Sequence, residues 1–367
     1  MKFICSQKQL ASAITIVQKA VSAKTTLPIL KGILLETVGQ KLKLVGTDLE
    51  LGIEQTIDAE ILSEGSIVIS SRILGDIIRK LPDAEIEFQI DQDHNMVIRC
   101  ENSEFALIGQ PSVEFPELPV VEEEYSYQIS QDLFKNMIRQ TIFATALDET
   151  RPILTGVLME IAESNINMVA LDGYRLAFRQ GTIKSYENSK AVIPGKTLSE
   201  IHRIISDEDT ADVEIFFTDK HVLFQMKDIK VISRLLEGEF INYKQILPNE
   251  YKSRVKVNTR NLLDSMERAS LLAKEGKNNL VRFSIKDETM TITSNAEIGR
   301  VYETLNIELE GQDLDIGFNS KYFLDVLKII DSEEIYLEFT TNVSPCIVKP
   351  TDTQNYTYLI LPVRLAN

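Results

Sequence analysis

Tryptophan is absent from this 367-residue chain, and cysteine and histidine occur only three times each, which narrows the available chemistry at once. Cys5, Cys100 and Cys346 stand far apart in no paired motif, so a disulfide framework and a thiolate metal site are both excluded, and each is expected to be buried. His94, His202 and His221 are scattered and form no HExxH or other ligand pair, which argues against a metal or other cofactor. No G-x-S-x-G elbow is present, and no catalytic residue is assigned. Glycine (16) and proline (11) are sparse, while hydrophobic residues make up 44% and charged residues 26%, the composition of a globular protein that is neither disordered nor fibrous. No apolar run is long enough to span a bilayer, and Met1-Lys2-Phe3 enters an alternating pattern where a signal peptide would need an apolar helix. A cytoplasmic protein with no membrane partner is expected.

What the chain does contain is a repeat. Asp172 follows Asp48 by 124 residues, Pro152-Ile153-Leu154 follows Pro28-Ile29-Leu30 by the same offset, and so does Ser130-Gln131 after Ser6-Gln7. A period of this length gives three repeats in 367 residues, in keeping with a chain too long for one ordinary core. The breaks are Phe115-Pro116-Glu117-Leu118-Pro119 with Glu122-Glu123-Glu124, and Ile246-Leu247-Pro248-Asn249-Glu250, which interrupt both helical and strand periodicity. Domains are predicted over 1–120, 125–246 and 251–367.

Within the first repeat a strand over residues 2–5 leads to a helix that Ser6 could cap, with Leu10, Ala13, Ile14 and Val17 at helical spacing. Strands follow over 31–36, 41–45 and 49–57, with Gly39-Gln40 as a hairpin turn. The order then restarts: strand 66–70, helix 73–81, strands 85–90, 96–100 and 105–109. Each repeat is thus two similar halves. The second repeat opens with a strand from Tyr125 to Ile129 and a helix from Gln131 to about Ala144, then strand 191–193 and helix 197–205. The third has strand 254–257, helix 259–273, strands near 281–285 and 290–294, then strand 315–318 and helix 321–330. Leu10, Phe134 and Leu262 occupy one helical position in the three copies, as do Ile14, Ile138 and Met266, a pattern of core packing.

A net charge of −16 counts against a nucleic-acid partner unless the charges are segregated. The six predicted helices with their caps hold 16 Lys and Arg against 7 Asp and Glu, leaving 23 against 48 elsewhere. A solvated helix face often collects cations, but six that lean the same way in an acidic chain would form a cationic surface if they share one side.

Pro194-Gly195-Lys196-Thr197, between a strand and a helix, is similar to the end of a phosphate-binding loop. The motif requires a glycine five residues before Gly195, where Lys190 stands, and the corresponding places read Ser70-Ser71-Arg72 and Asn319-Ser320-Lys321. A helix start that carries a cation accounts for all three. A nucleotide-using enzyme acting through Gly195 and Lys196 is the rival class, and a monomeric three-domain adaptor is a third.

Thr26-Leu27-Pro28-Ile29-Leu30, Gly46-Thr47-Asp48-Leu49-Glu50, Asp172-Gly173-Tyr174-Arg175-Leu176-Ala177 and the ending Leu361-Pro362-Val363-Arg364-Leu365 together resemble the bacterial sliding clamp family, the beta subunit of DNA polymerase III. The resemblance implies an α+β fold of three repeated domains with helices inside and antiparallel sheets outside. It implies two chains closed head to tail around double-stranded DNA, held without sequence specificity, and no catalysis. Phe105 and Leu107 on an edge strand would meet Leu271 and Leu272 of the second chain, although interior packing accounts for the same four. DNA contacts carry over as Lys24, Arg72 and Lys196; Arg79, Lys80, Arg139, Arg203, Lys274 and Lys328 join them from the helix charges.

The resemblance also implies a site where short peptides of the replicative polymerase, clamp loader and repair proteins bind through a Leu or Phe anchor. It maps to Leu154, Gly173, Tyr174, Arg175 and Leu176, to Ile241, Gln245 and Ile246, to Val343 and Pro345, and to Leu359, Leu361, Pro362, Val363 and Arg364. For the apolar members, domain core is the competing account. Leu171, Tyr174 and Gln245 depart from the family's usual threonine, histidine and arginine, which changes the polar part of peptide selection.

Overall fold

The computed structural model describes residues 1–122, 126–148, 150–184, 187–206, 211–248 and 250–365. Glu123, Glu124 and Tyr125 of the first predicted break and second-repeat opening, and Asn249 of the second break, lie outside the described residues.

The element order repeats three times. First come β1 (Lys2–Ser6), α1 (Gln7–Val17), β2 (Gly32–Val38), β3 (Lys41–Thr47), β4 (Leu51–Asp58) and β5 (Glu60–Ser63), then β6 (Ser66–Ser70), α2 (Ser71–Ile78), β7 (Glu85–Ile90), β8 (Asn95–Cys100) and β9 (Ser103–Ile108). The second series is β10 (Tyr127–Ser130), α3 (Gln131–Arg139), β11 (Gly156–Ala162), β12 (Asn165–Leu171) and β13 (Arg175–Thr182), then β14 (Ser189–Pro194), α4 (Gly195–Ile204), β15 (Asp212–Phe217), β16 (His221–Met226) and β17 (Ile229–Arg234). The third is β18 (Ser253–Asn258), α5 (Thr259–Ala273), β19 (Leu280–Lys286), β20 (Thr289–Ala296), β21 (Gly299–Asn306) and β22 (Glu308–Gly311), then β23 (Leu314–Asn319), α6 (Ser320–Leu327), β24 (Glu334–Phe339), β25 (Cys346–Pro350) and β26 (Tyr356–Ile360).

Two compact units result, one of residues 1–132 with 199–235, the other of residues 133–198 with 236–367. The first contains a five-stranded sheet in the order β5-β1-β7-β8-β9 and an eight-stranded sheet β10-β15-β16-β17-β4-β3-β2-β6. All its strand pairs are antiparallel. α1 buries Leu10, Ala13, Ile14 and Val17, the predicted stripe, and Gln18 at its end donates to the Ser71 carbonyl at the start of α2 (2.6 Å). The second unit contains a nine-stranded sheet β14-β11-β12-β13-β26-β25-β24-β18-β22 and a four-stranded sheet β21-β20-β19-β23. Its core includes Phe283, Phe318 and Phe323, whose ring centroids lie 4.8–5.5 Å apart in the tilted and edge-on arrangements aromatic quadrupoles favour.

The lead strand of each half pairs with the sheet of the other half. β1 is registered on β7 and β6 on β2; β18 lies on β24 and β23 on β19. Sheets of successive repeats also fuse, β17 to β4 in the first unit and β13 to β26 in the second. Continuous hydrogen bonding across these seams explains why the compact units do not coincide with the repeats.

Several local expectations need adjustment. Ser6 occupies the N-cap position of α1 but makes no side-chain capping bond. The strand predicted over 49–57 begins at Leu51, because Asp48 accepts the amides of Glu50 and Leu51 and turns the chain, with Leu49 at φ 79°. The helix predicted to about Ala144 stops at Arg139: the Thr141 hydroxyl donates to the Met137 carbonyl, and a short 3-10 turn, Ile142–Ala144, follows. α2 and α6 likewise end several residues early, whereas α5 spans its predicted range. Cys5, Cys100 and Cys346 are all free and buried, and burial pushes the Cys5 thiol up to about 12.

Candidate functional sites: a groove, two open edges and cationic helix starts

The residues of the expected peptide site all lie in the second unit, some of them on the turn between β12 and β13. Asp172 accepts the amides of Tyr174 (2.9 Å) and Arg175 (3.0 Å), reproducing the turn at Asp48. Gly173 sits there at φ 90°, a conformation L side chains rarely adopt, and presents open space. The chain end is fastened beside it: the Leu361 amide donates to the Tyr174 carbonyl (2.8 Å) and the Val363 amide to the Gly317 carbonyl (2.8 Å). Below the turn is an apolar cluster of Leu154, Leu158, Leu171, Leu176, Phe240, Tyr243, Ile347 and Leu359. Tyr174, Ile241, Ile246, Val343 and Leu361 are exposed apolar residues of the same unit. Gly173, Gln245 and Arg364 are exposed as well, with Pro345, Pro362 and Val363 half-buried.

The apolar members divide by burial. Leu154, Leu176 and Leu359 are 2–3% exposed, while Tyr174 is 59% and Val343 66% exposed. Tyr243 joins the site without having been singled out in the sequence. Its ring stacks on Phe178 (5.8 Å), its hydroxyl donates to Glu160 (2.7 Å), and burial followed by that carboxylate pushes its hydroxyl well above the ordinary tyrosine range.

Arg175 is tied into the unit by its own side-chain bonds. Its side chain is 8% exposed and spends Nε on Asp172 (3.0 Å), Nη1 on Asp325 (2.5 Å) and Nη2 on the Phe143 carbonyl (2.7 Å). Its guanidinium lies over the rings of Phe143 (5.2 Å) and Tyr322 (4.9 Å), and Tyr322 in turn stacks on Tyr174 (5.8 Å). A fork bonded through all three nitrogens ties the turn to Asp325 and to the Phe143 carbonyl.

Two sheet edges carry exposed apolar groups. β9 ends its sheet with Phe105 38% and Ile108 84% exposed and Leu107 half-buried. In the other unit β21 ends its sheet with Tyr302 exposed, Leu271 of α5 is 66% exposed, and Leu272 lies beside Gly299 at the start of β21. Arg268 of α5 and Glu303 of β21 form a two-bond ion pair that locks helix to strand. Phe105 and Leu271 are thus surface residues of the chain, and interior packing does not account for them.

The cations divide by position. Arg72, Lys196 and Lys321 are all exposed and each is the second residue of its helix, α2, α4 or α6. A cation there opposes the helix dipole at a cost of roughly 0.3–1 kcal/mol, so helix stability does not select it. In the first unit Arg72 and Arg79 line one cavity together with Lys31. Lys24, Lys80 and Lys274 are exposed too. Arg79, Arg139, Arg203 and Lys328 are engaged by Asp76, Asp331, Glu200 and Glu267 respectively, which diverts much of their charge from an external phosphate. Lys321 was legible as a matching position but was not singled out as a contact.

Gly195 does not behave as part of a nucleotide loop. A Cβ there would come within 2.8 Å of the Thr155 carbonyl, so close backbone packing requires the glycine. Among the described residues no group of three or more His, Cys, Asp or Glu could hold a metal ion, and no helix is long and apolar enough to cross a membrane.

Three consecutive family descriptions match the chain: the N-terminal domain of the DNA polymerase III beta subunit over residues 1–119, the central domain over 128–242 and the C-terminal domain over 244–364. The chain belongs to the DNA polymerase III beta subunit family. It is 39% identical to the beta sliding clamp of Bacillus subtilis (strain 168), over 99% of this chain and 100% of that one. Among solved structures, the DNA polymerase sliding clamp of Bacillus subtilis is similar with a TM-score of 0.97 at 38% identity, covering 100% of both chains. A putative DNA polymerase III beta subunit from Eubacterium rectale has a TM-score of 0.96 at 40% identity, again over 100% of both. The fold is that of a sliding clamp, α+β with three repeated domains, and the function is that of a DNA sliding clamp. The turn shared by Asp48 and Asp172 takes two forms: Leu49 stands at the first, and Gly173-Tyr174 at the second.

Proposed function

We propose that this beta subunit works as a non-catalytic processivity factor in the cytoplasm, two copies closing head to tail around duplex DNA and tethering the replicative polymerase, clamp loader and repair proteins by short peptides. Its three domains take residues 1–120, 125–246 and 251–367. The groove carries this reading: exposed Tyr174, Ile246, Val343 and Leu361 rim a floor of Leu154, Leu176 and Leu359, a shape suited to one apolar anchor. Arg175 supports the wall from behind, and the polar selection of peptides rests on backbone groups with Gln245 and Arg364 at the rim.

Ring closure uses the edge of β9, with Phe105 and Leu107, against α5 and β21 of the second copy, with Leu271 and Leu272. Strand edges that end in exposed apolar groups are suited to pairing. DNA contacts run through Lys24, Arg72, Lys196 and Lys321, with Lys80 and Lys274. Arg79, Arg139, Arg203 and Lys328, each beside a carboxylate, join them. These contacts address phosphates, since a clamp that read base edges would stall.

Loaded protein should remain on closed circular DNA at moderate salt and be lost once the circle is linearised; equal loss from both sinks the clamp reading. Truncation after Ile360 removes the Leu361 and Val363 backbone bonds and should abolish binding of a polymerase-tail peptide while the solution mass stays that of two chains. Unchanged peptide affinity refutes the groove.

A further inference from the structure

We propose that the partner groove continues across the sheet into a cationic subsite formed by Arg254 and Lys349, which takes a carboxylate of the partner peptide about four residues from its apolar anchor. The proposal rests on the groove reading and extends it.

Register places the two sites on one face. Leu176 of β13 neighbours Leu359 of β26, Leu359 neighbours Ile347 of β25, Ile347 neighbours Glu338 of β24, and Glu338 neighbours Arg254 of β18. The first three of these belong to the apolar floor. A single row of cross-strand neighbours therefore runs from the floor into an ionic cluster. From β26 to β18 there are three strand spacings, about 14 Å, which an extended peptide covers in about four residues.

The cluster is built to face outward with positive charge. Glu338, 7% exposed, accepts Arg254 through Nε (3.1 Å) and Nη2 (2.7 Å) on one oxygen and Lys349 (2.8 Å) on the other. The single carboxylate is the buried member and the two cations are the accessible ones, with side chains 30% and 39% exposed. The Arg254 guanidinium lies over the rings of Tyr251 (4.0 Å) and Tyr336 (4.8 Å), contacts that help to orient it before any ligand arrives. Glu310 reaches Arg254 only at 4.0 Å and is 69% exposed, a contact an incoming carboxylate can displace. Arg254 and Lys349 line a cavity of about 470 Å³ together with Thr353 and Thr357, whose hydroxyls suit an anionic oxygen, and Thr351, whose hydroxyl donates to the Glu334 carbonyl. Arg254 and Lys349 share one buried carboxylate, so once Glu310 is displaced the cluster carries a net positive charge, in a chain whose total is −16.

The test uses the full-length protein and fluorescent peptides read by anisotropy. One peptide carries a Leu-Phe anchor alone. The others add a four-residue Gly-Ser spacer and either Glu-Glu or Gln-Gln, before the anchor or after it. In one of the two directions the Glu-Glu peptide should bind about fivefold tighter than its Gln-Gln counterpart at low salt. That gain should vanish in Lys349→Gln and return in Lys349→Arg, with the anchor-only peptide unaffected. Lys349→Gln leaves Glu338 its two bonds from Arg254, so the fold is spared. Equal affinity for Glu and Gln extensions in both directions, or a gain that survives Lys349→Gln, overturns the subsite and leaves the groove standing. Failure of the anchor-only peptide to bind overturns the groove and the subsite with it.

Discussion

Replacing Arg175 by alanine should destabilise the second unit and loosen the groove wall together. The substitution strands Asp172 and Asp325, whose side chains are 12% and 31% exposed, and removes the donor to the Phe143 carbonyl. Breaking a fully buried pair costs about 3–5 kcal/mol. Asp325 is partly solvated, and Asp172 keeps its two backbone amides, so the lower end, about 3 kcal/mol, is expected. For a unit of this size that is a drop of roughly 6–12 °C in its calorimetric transition. Arg175→Met, which keeps the bulk between Phe143 and Tyr322, separates packing from charge. A cycle with Asp325→Asn should give a coupling of about 1–2 kcal/mol. Because the Tyr174 carbonyl holds the Leu361 amide, peptide affinity should fall alongside stability although Arg175 touches no peptide. A shift below about 2 °C for Arg175→Ala, or negligible coupling to Asp325, would falsify the role of this ion network as the support of the wall.

Tyr243→Phe removes the hydroxyl bonded to Glu160 and should cost about 1 kcal/mol by thermal melting; no measurable change would show that the carboxylate finds an equal partner in Lys190 or Lys244. The hydrogen bond from Arg268, aided by its charge, holds the Glu303 carboxyl below its ordinary value of 4.5. A carboxyl held low in the folded state stabilises the fold above its unfolded value and loses that contribution as pH falls through the folded value. Acid should therefore loosen α5 from β21 below about pH 4.5, and Glu303→Gln should flatten that part of a stability-against-pH curve; an unchanged slope refutes the linkage. Replacing Arg72, Lys196 and Lys321 together by glutamine should lower the slope of log affinity against log salt on short duplex DNA by about 2.7, close to 0.9 for each phosphate no longer neutralised. A slope change below about one means these helix starts do not meet the backbone.

How much was legible in the sequence varied with the kind of signal. Helical stripes were readable because spacing alone decides them: Leu10, Phe134 and Leu262, matched across repeats, are all fully buried. The turn at Asp172 was readable because Asp48 repeats it at the same offset, and the same carboxylate-to-amide bonds form at both. The ion network of Arg175 was not legible, since a sequence does not show that Asp325, 150 residues on, comes within 2.5 Å. Tyr322 and Tyr243 gave no local sign, because their roles come from the rings and carboxylates that surround them.

The sequence by itself determined the threefold repeat, the division of each repeat into two halves, the buried faces of the helices and the segregation of cations towards them. These follow from local periodicity and composition, which every segment carries within itself. The tertiary structure alone decided that each half lends its first strand to the other, that sheets of adjoining repeats fuse, and that the chain's end bonds to Tyr174 at the second turn. Strand pairing is a choice among many edges of similar hydrogen-bonding capacity, and only the assembled core, by fixing which face of each strand is buried, selects the register.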